Sequence, residues 1–425
     1  MAKYYFSTIK GNSPRFYTAV AILLVFVLGW VAATWYMFTH GIAVTSMTQQ
    51  VPWGVVIVLF IYFVGLSAGS FIISAISVLF GQTQFKVFSR IAGFTAVLMI
   101  VAGLMMLISD WGRPDRILVP FIHVNPRSIL SWNAFIYSTY IVNGILYLWA
   151  LFKNNDKYIK MLAISATALA VGVHSGTGAI FGIINGRELF FSSLTPVAFV
   201  VSALSSGTGL AIILLVASFK LTKRPFDERL MKELSRLMAG LIIFVIYLML
   251  IEHFVHLYAP EFEEGERYIL FSGNGFTWMF WGGLIFMGGI VPVAILLSKL
   301  RTSLNWILVA AGLHVVGVLF ERMVIVLPGQ MLPQPLFYDS EVTSRFQDGV
   351  TASYFPNIIE FIQIGGVIAG VVLIYMMGLK LLPLLPREGK YIKEPKEEPE
   401  PEEAPVRDEP PEPEAPPAAA AAPAE

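Results

Sequence analysis

Residues 88–116 read FSRIAGFTAVLMIVAGLMMLISDWGRPDR, an apolar run that ends in two aspartates and two arginines. The apolar part is long enough to cross a bilayer, which takes about 20 residues of helix. Gly112 and Pro114 then stop the helix from continuing. Charges at a membrane boundary are costly to bury unless they pair or serve a ligand. This corner is therefore the first candidate for chemistry, and the alternative is a solvated loop that only ends a helix.

The composition points to a membrane protein. Hydrophobic residues make up 56% of the 425 residues, charged residues make up 14%, and the mean hydropathy is +0.69. These values argue against a soluble globular protein. The sequence contains no cysteine, which excludes disulfides, thiolate-ligated iron–sulfur clusters and a cysteine nucleophile within this chain. Any redox cluster must belong to a partner.

Hydropathy predicts an all-α integral membrane protein with ten transmembrane helices. No alternating pattern of the kind found in transmembrane β-barrels is visible, so a helical bundle is the expected architecture. The predicted spans are 17–38, 54–80, 88–109, 131–152, 159–182, 195–219, 234–258, 277–298, 304–327 and 355–383.

Charge distribution predicts the orientation. Lysine and arginine cluster before the first span, in the loops after even-numbered spans and after the last span. The positive-inside rule therefore places both termini in the cytoplasm, with the chain in the cytoplasmic (inner) membrane. Residues 1–385 would form the membrane domain, and the Pro/Glu/Ala-rich residues 386–425 a disordered cytoplasmic tail. Three long periplasmic loops, 110–130, 259–276 and 328–353, are candidates for a docking surface.

Two similar segments suggest an internal repeat. Residues 66–70 read LSAGS and residues 204–208 read LSSGT, each in the middle of a predicted span. Alone, such small-residue segments are ordinary helix-packing features. Together with two further pairs at nearly the same offset, they predict two parallel four-helix bundles, spans 2–5 and 6–9, with spans 1 and 10 peripheral. The further pairs are Asp110 with Glu252 and His174 with His314.

Polar residues within the spans are few and lie mostly in the outer halves. Glu252 and His256 are four residues apart and share one helical face. Glu321 and Arg322 are adjacent and are not expected to face each other, so each should have a partner on another helix. The complete set is Asp110, His174, Glu252, His253, His256, Glu321, Arg322, Glu360 and Gln363, with His314 nearer the midplane.

This arrangement suits proton transfer to a buried redox ligand. Carboxylates and imidazoles exchange protons near neutral pH when they lie within hydrogen-bonding distance. The alternative is a set of interhelical ion pairs that hold the bundle together. The residues assigned to catalytic proton transfer are Asp110, Glu252 and His256, and those assigned to a proton path are His314, Glu321 and Glu360.

A quinone fits these surroundings better than a polar solute does. Aromatic residues such as Trp53, Trp111 and Phe121 lie near the polar groups and could enclose a quinone ring, although an interfacial aromatic belt explains each of them individually. A haem would need two imidazoles at matched depth, and His174 with His314 is the single plausible pair. We therefore expect neither haem nor a metal site.

Several motifs resemble the NrfD/PsrC family, the membrane subunits of polysulfide-reductase-type complexes. The resemblance covers about 1–385. Two further segments, VTSMTQQ at 44–50 and GTGAIFG at 176–182 with Arg187, are more similar to the DsrP-like branch, found in complexes of sulfur metabolism. The family motifs are Trp53-Gly54 opening span 2, GLSAGS at 65–70 and DWGRPDR at 110–116 ending span 3.

The resemblance implies a quinone-interacting subunit of a respiratory electron-transfer complex. Its substrate would be menaquinone or ubiquinone, and it would hold no haem or iron–sulfur cluster of its own. Its partners would be a periplasmic ferredoxin-like iron–sulfur subunit and further subunits of the complex, and no nucleic acid. Asp110, Arg113 and Arg116 match the family motif, and with Trp111 the two arginines are expected to hold the quinone site or the partner. From its depth, His174 is expected to bond a quinone carbonyl.

Two other functions remain open from the sequence. A helical bundle with an internal repeat is also typical of secondary transporters, which would have Gly- or Pro-broken helices at mid-membrane in both halves. A passive membrane anchor for an extrinsic oxidoreductase would have no bound quinone.

Overall fold

Ten long helices dominate the computed structural model, which describes residues 6–9, 11, 13–333 and 350–386. Within those ranges all ten are long and apolar enough to cross a membrane, as predicted. The predicted tail, apart from Pro386, and residues 334–349 of the third long loop lie outside the described residues. The helices are α1 Pro14–His40, α2 Val55–Leu79, α3 Thr83–Asp110, α4 Ile129–Lys153, α5 Asp156–Gly182, α6 Thr195–Leu221, α7 Glu228–Tyr258, α8 Gly275–Leu297, α9 Leu304–Met331 and α10 Ile358–Leu381.

Short polar side chains fix where several helices begin. Ser13 accepts a hydrogen bond from the Phe16 amide at 3.2 Å, directly before Pro14 opens α1. Asn155 caps α5 and Asp227 caps α7 in the same way. These caps satisfy amide groups that a helix leaves unpaired in its first turn.

The helices form the two predicted four-helix bundles. In the first bundle α2 packs on α3 and α5, and α4 joins those two; in the second, α6 packs on α7 and α9, and α8 lies beside α9 and α7. Helix α1 packs on α10, which in turn contacts α3, so both are peripheral as expected. The predicted fold of ten spans is thus present. Helices α2 and α6 form the central pair, one from each bundle.

Two glycines allow the central helices to touch. A Cβ added at Gly69 of α2 would lie 2.7 Å from the Cα of Gly207 of α6, and one added at Gly207 would lie 2.6 Å from the Cα of Gly69. These glycines belong to the two repeated sequence segments. The repeat therefore brings its own equivalent positions together at the bundle interface.

The equivalent histidines of the repeat occupy equivalent places. His174 of α5 points at α2, with its Nε2 3.1 Å from the carbonyl oxygen of Val64. His314 of α9 points at α6, with its Nε2 2.9 Å from the Ser205 hydroxyl. The Nδ1 of His314 lies 2.7 Å from the carbonyl oxygen of Gly288, in a π-helical stretch of α8, Met279–Ile290. Both imidazoles thus tie the fourth helix of a bundle to its first.

A two-stranded ribbon closes one end of the bundle, which we call the terminal end. Strand β1, Phe6–Ser7, pairs antiparallel with β2, Leu385–Pro386. Arg224, after α6, donates hydrogen bonds to the carbonyl oxygens of Ser7, Leu385 and Pro386 at 3.3, 2.8 and 2.7 Å. The opposite end, which we call the distal end, carries Asp110 and the polar halves of α7 and α9.

Candidate functional site

The distal end of the second bundle encloses a small cavity lined by ionisable side chains. Its volume is about 50 Å³. Because one water needs roughly 10–15 Å³ of such space, the cavity fits a few waters and is too small for a quinone ring. We call it the His–Glu cavity. Its ionisable lining residues are Glu252, His253 and His256 of α7, Glu266 of the connecting helix Glu263–Leu270, and Glu321 of α9.

Glu266 joins the two histidines. One carboxylate oxygen lies 2.7 Å from Nδ1 of His253, and the other lies 3.0 Å from Nδ1 of His256. Only 2% of Glu266 is exposed. Burial by itself raises the pKa of the Glu266 carboxyl, but the hydrogen bonds and charges of the two histidines outweigh it and lower the pKa below its usual value. The geometry therefore favours an ionised Glu266 held between two imidazoles.

The sequence interpretation assigned Glu266 to a docking loop and missed it as a site residue. His253 and His256 are three residues apart on α7, a spacing that puts both rings on adjacent positions of one face. An acidic connecting helix follows directly, and it folds back so that Glu266 is buried while Glu263 pairs with Arg267 at the surface. The sequence signal that could have identified Glu266 was the pair of histidines followed directly by a short acidic helix.

Glu252 and Glu321 line the same cavity and are held by hydroxyl groups of α6. The Thr195 hydroxyl donates to Glu252 at 3.0 Å, and the Ser202 hydroxyl donates to Glu321 at 2.6 Å. Of the residues predicted to move protons, the structure thus brings Glu252, His256 and Glu321 together. All three line the cavity.

Arg322 lies beside Glu321, which corrects one sequence expectation. The expectation was that these adjacent residues do not face each other, yet Nη1 of Arg322 is 3.3 Å from a Glu321 carboxylate oxygen. Long side chains bend back along the helix, so adjacency does not keep their charged ends apart. The guanidinium also lies 4.0 Å from the ring centre of Phe199 on α6, which is the expected partner on another helix. Both charged residues are 1% exposed.

Three phenylalanines form an aromatic wall of the cavity. Phe181, Phe190 and Phe199 line the cavity. The indole of Trp53 packs against Phe181 with ring centres 5.6 Å apart. Trp53 is fixed by Gln330, whose side chain accepts from the Trp53 amide at 2.8 Å and donates to the Trp53 carbonyl at 3.1 Å. The tryptophan of the span 2 motif therefore lies next to the cavity.

A second polar cluster lies at the distal ends of α1, α3 and α10. Glu360 accepts hydrogen bonds from the amides of Ser46 and Asn357 at 3.1 and 3.0 Å and from the Tyr354 hydroxyl. Burial and the bond to Glu360 raise the pKa of the Tyr354 hydroxyl. Asn357 and Glu360 also cap α10 reciprocally. These contacts make Glu360 an anchor for the loops around it, whereas the sequence assigned it to a proton path.

Asp110 lies in this second cluster and not at the His–Glu cavity. It is close enough to Glu360 for the two carboxylates to repel each other. Within the part of the chain that the structure describes, its buried Oδ1 has no hydrogen-bond partner, and neither has the buried Oε1 of Gln363. Gln363 donates to the carbonyl oxygen of Ser109, the residue before Asp110, at 3.2 Å. Two buried acceptors thus lie unused in one polar patch, which we call the Asp110 patch.

The motif arginines lie at the surface. Arg113 donates two hydrogen bonds to Asp115, at 3.0 and 2.9 Å, and both side chains are more than half exposed. The hydrogen bonds from Arg113 lower the pKa of the Asp115 carboxyl. Arg116 is exposed as well, and Trp111 is half-buried next to Asp110. The arginines are therefore exposed, while Trp111 borders the Asp110 patch.

The hydrogen-bond partners of His174 belong to neither cluster. Its Nδ1 lies 2.6 Å from the carbonyl oxygen of Ala170, and its Nε2 faces Val64. A backbone carbonyl oxygen thus faces each ring nitrogen inside the first bundle. The bond between His174 and a quinone carbonyl stays a prediction, and His314 is held by neighbouring helices.

Comparison with known proteins identifies the family. A family model described as "Polysulphide reductase, NrfD" matches residues 43–334. The chain belongs to the NrfD family. The resemblance inferred from the motifs at Trp53, Gly69 and Asp110 is thereby confirmed, and those motifs fall inside the matched region.

Relatives of this NrfD-family chain include membrane subunits of several redox complexes. The chain is 37% identical over 397 residues to the Hdr-like menaquinol oxidoreductase integral membrane subunit of Archaeoglobus fulgidus, covering 92% of this chain and 99% of the relative. It is 30% identical to one of the subunits of the selenate reductase of Mesobacillus selenatarsenatis, covering 82% and 90%. It is 23% identical to the menaquinone reductase integral membrane subunit of Nitratidesulfovibrio vulgaris, covering 88% and 93%.

Metal binding finds no geometric basis in the described ranges. No group of three or more His, Asp or Glu residues there is arranged to hold a metal ion. Glu266 is bonded through both oxygens to the Nδ1 atoms of His253 and His256, an arrangement in which the three groups satisfy one another. The contacts of Glu266 in the His–Glu cavity are hydrogen bonds between a carboxylate and two imidazoles.

Proposed function

We propose that this NrfD-family chain is the quinone-interacting subunit of a membrane redox complex. It exchanges electrons between the quinone pool and an iron–sulfur partner bound at its distal end, the periplasmic side in this proposal. The observation that carries the proposal is the His–Glu cavity, where five ionisable side chains surround space for a few waters in an otherwise apolar bundle. Buried ionisable residues in a membrane span are costly and mark functional sites.

The His–Glu cavity suits the protons of quinone chemistry. Oxidation of a quinol releases two electrons and two protons, and the protons need acceptors connected to the outside. Glu266 lies in a connecting helix outside the spans and contacts both histidines. Glu321 lies deeper, at the end of the cavity near Ser202. We infer that protons pass between the Glu252–Glu321 side and the distal surface through His253, His256 and Glu266.

The Asp110 patch suits the quinone head group. Asp110 and Gln363 each bury an unpaired acceptor there, and Gln363 bonds the Ser109 carbonyl. A quinol hydroxyl could donate to one such acceptor, and a buried acceptor left unmatched costs about 1–3 kcal/mol. Trp111 borders the patch, and Trp30 is fixed there by a 2.7 Å hydrogen bond to Ser109. We assign the ring position to this patch because of these unpaired acceptors.

The Trp53–Gly54 turn connects the two clusters. Trp53 contacts the aromatic wall of the His–Glu cavity, and a Cβ at Gly54 would lie 2.5 Å from the Tyr354 hydroxyl and 2.9 Å from Glu360. Glycine at position 54 is therefore required for the second cluster to close on α2. The turn borders both sites. A ring bound at the Asp110 patch would therefore lie on one side of Gly54, and the His–Glu cavity lies on the other.

The names of two relatives agree with this assignment, since they refer to a menaquinol oxidoreductase and a menaquinone reductase. We further propose that Arg113 and Arg116 contact the iron–sulfur partner, because both are exposed at the distal surface. An acidic patch on that partner would complement them.

The experiment compares neutral variants of buried and exposed carboxylates in the purified complex. Asp110→Asn and Glu252→Gln should each reduce quinol-dependent reduction of the partner's clusters by at least tenfold, because an amide cannot accept and release a proton as a carboxyl group does. The matched control is Glu261→Gln, which alters an exposed carboxylate after α7. Subunit composition and bound quinone are measured by mass spectrometry.

Two results would contradict the proposal. One is wild-type quinol oxidation in both buried variants, with the complex intact. The other is a purified chain that forms an oligomer by itself and carries neither an iron–sulfur partner nor quinone, which would favour the transporter.

A further inference from the structure

The first long loop at the distal end contains an exposed apolar run, residues 117–124, which we call the apolar segment. It reads ILVPFIHV and follows directly after the motif at 110–116. Leu118 is 59% exposed and Ile122 is 68% exposed. A surface that faces water rarely keeps such a run uncovered, and exposed apolar patches mark contacts with a membrane or with another protein. The segment is therefore a candidate contact surface.

The apolar segment packs on the side of α4. Its short helix, Val119–Ile122, contacts α4, and the ring centre of Phe121 lies 5.2 Å from that of Phe135. Phe135 follows Ile129, the first residue of α4, by six residues, which corresponds to about 9 Å along the helix axis. The short helix therefore lies beside the first turns of a spanning helix and not beyond its end.

The side of α4 that carries Phe135 is apolar and exposed. Its members are Phe135, Val142, Leu146 and Trp149. Their spacings of seven, four and three residues place them on one helical face. On a helix long enough to span a bilayer, an exposed apolar face is suited to contact with lipid chains. The apolar segment thus continues this face at the distal end of α4.

The backbone of the segment is suited to apolar surroundings. Amide groups of its short helix donate to carbonyl oxygens within the segment. The pairs are Phe121 to Leu118 at 3.0 Å, Ile122 to Leu118 at 3.1 Å and His123 to Val119 at 2.9 Å. The residue at position 120 is a proline, which has no amide hydrogen to satisfy. Because unpaired backbone groups are costly in lipid, this internal pairing lets the segment lie at membrane depth.

The residues that follow the segment are typical of the head-group level. Trp132, half exposed in the first turn of α4, donates from its indole nitrogen to the Pro126 carbonyl oxygen at 2.9 Å. Tryptophan is enriched where lipid chains meet head groups. Arg127 is exposed beside it, and a long basic side chain can reach the head groups while its apolar stem lies deeper. The loop therefore has an apolar part next to a part suited to the membrane interface.

We propose that the apolar segment is embedded in the lipid leaflet at the distal end of the bundle. Leu118 and Ile122 contact acyl chains beside α4, and Arg127 stays among the head groups. The position of about 9 Å along α4 agrees with this, because interfacial segments bury their apolar face about 5–10 Å deep. Residues 117–124 of the loop predicted as a docking surface would thus contact lipid. The proposal does not depend on the proposed function.

The test is contact quenching by brominated lipid. The chain contains no cysteine, so Ile122→Cys provides a single site for a bimane label in the full chain, reconstituted in phosphatidylcholine nanodiscs. Lipid brominated near the head group should reduce the fluorescence of this label about twofold, and more than lipid brominated near the chain ends, because the segment lies at shallow depth. Leu118→Cys should give the same result.

Two control positions calibrate the measurement. Val142→Cys lies on the same face of α4, about 20 Å from its start, and should be quenched more by bromine near the chain ends. Glu261→Cys lies in an exposed position after α7 and should be quenched by aqueous iodide and by neither lipid.

Two outcomes would overturn the proposal. Iodide quenching at position 122 equal to that of Glu261→Cys, without quenching by either lipid, would show that the segment faces water and is free to dock a protein. Protection of Ile122→Cys from both iodide and brominated lipid would show that protein covers the segment, as in contact with a second copy of the chain.

Discussion

The contact between Gly69 and Gly207 is the sharpest test of the fold, because it joins the two bundles through backbone alone. Replacing Gly69 with alanine adds one carbon atom at the crossing of α2 and α6. That carbon would lie 2.7 Å from the Gly207 Cα and 2.8 Å from the Ala203 carbonyl oxygen. No side chain can rotate away to make room, because both obstructing atoms belong to the backbone.

The size of the effect follows from these distances. Carbon atoms in contact prefer a separation of about 3.5–4.0 Å, so α2 and α6 would have to separate by about 1 Å. Overpacking of a well-packed interior costs about 1–3 kcal/mol, and a rigid backbone neighbour places this case at the upper limit. We expect Gly69→Ala to destabilise the chain by about 3 kcal/mol, or roughly 100-fold in the unfolding equilibrium.

The control is Gly65→Ala, one turn earlier on the same helix. A Cβ there would lie 3.8 Å from the Ala203 Cβ, which is ordinary contact. Replacing a helical glycine with alanine where space allows should stabilise the helix by about 0.5–1 kcal/mol. Unfolding in mixed micelles of mild detergent and dodecyl sulfate, followed by tryptophan fluorescence, should therefore move the two midpoints in opposite directions. Equal or greater stability of Gly69→Ala relative to Gly65→Ala would refute the close crossing.

Three further predictions concern polar contacts. The lowered pKa of Glu266 means that its stabilisation is present above the unfolded pKa, about 4.3, and is lost as the pH falls through the folded pKa. Thermal stability of the wild type should therefore decline in acid more steeply than that of Glu266→Gln, and parallel profiles would disprove this. Gln330→Leu should cost about 2–4 kcal/mol in the micelle assay, because it leaves the Trp53 amide and carbonyl unpaired, whereas a loss below about 0.5 kcal/mol would show other partners. Arg224→Gln should speed proteolysis after β2, measured by limited digestion from the terminal side, and unchanged digestion would show that Arg224 does not hold the ribbon.

The sequence predicted the spans and the repeat well because both depend on periodic, local patterns. Span bounds agree with the structure to within four residues, apart from two starts: α3 begins at Thr83 and α7 at Glu228, where the spans were predicted from residues 88 and 234. The ribbon of Phe6–Ser7 with Leu385–Pro386 was not predicted, since two-residue strands carry no alternation. The π-helical stretch in α8 was also missed, because it depends on close packing against Gly317 in another helix.

The sequence predicted where the site residues lie along the bundle axis, but it did not predict where they lie around the bundle. Helix direction and hydropathy place Asp110, Glu252 and Glu321 near the same membrane face, and that grouping by depth needs no tertiary information. Which helices face each other does need it, and the structure separates Asp110 from the other two residues. Glu266 was missed for the same reason, because a short helix that folds back over a cavity is set by tertiary packing.

The ribbon at the terminal end has a consequence for how the chain is made. Its first strand, Phe6–Ser7, is synthesised before the ten spans, and its partner, Leu385–Pro386, is synthesised only after them. The carbonyl groups of β2 that Arg224 holds do not exist until that moment. The ribbon can therefore form only after all ten of these spans have been synthesised, and a chain truncated before Leu385 would leave the edge of Phe6–Ser7 without its partner strand.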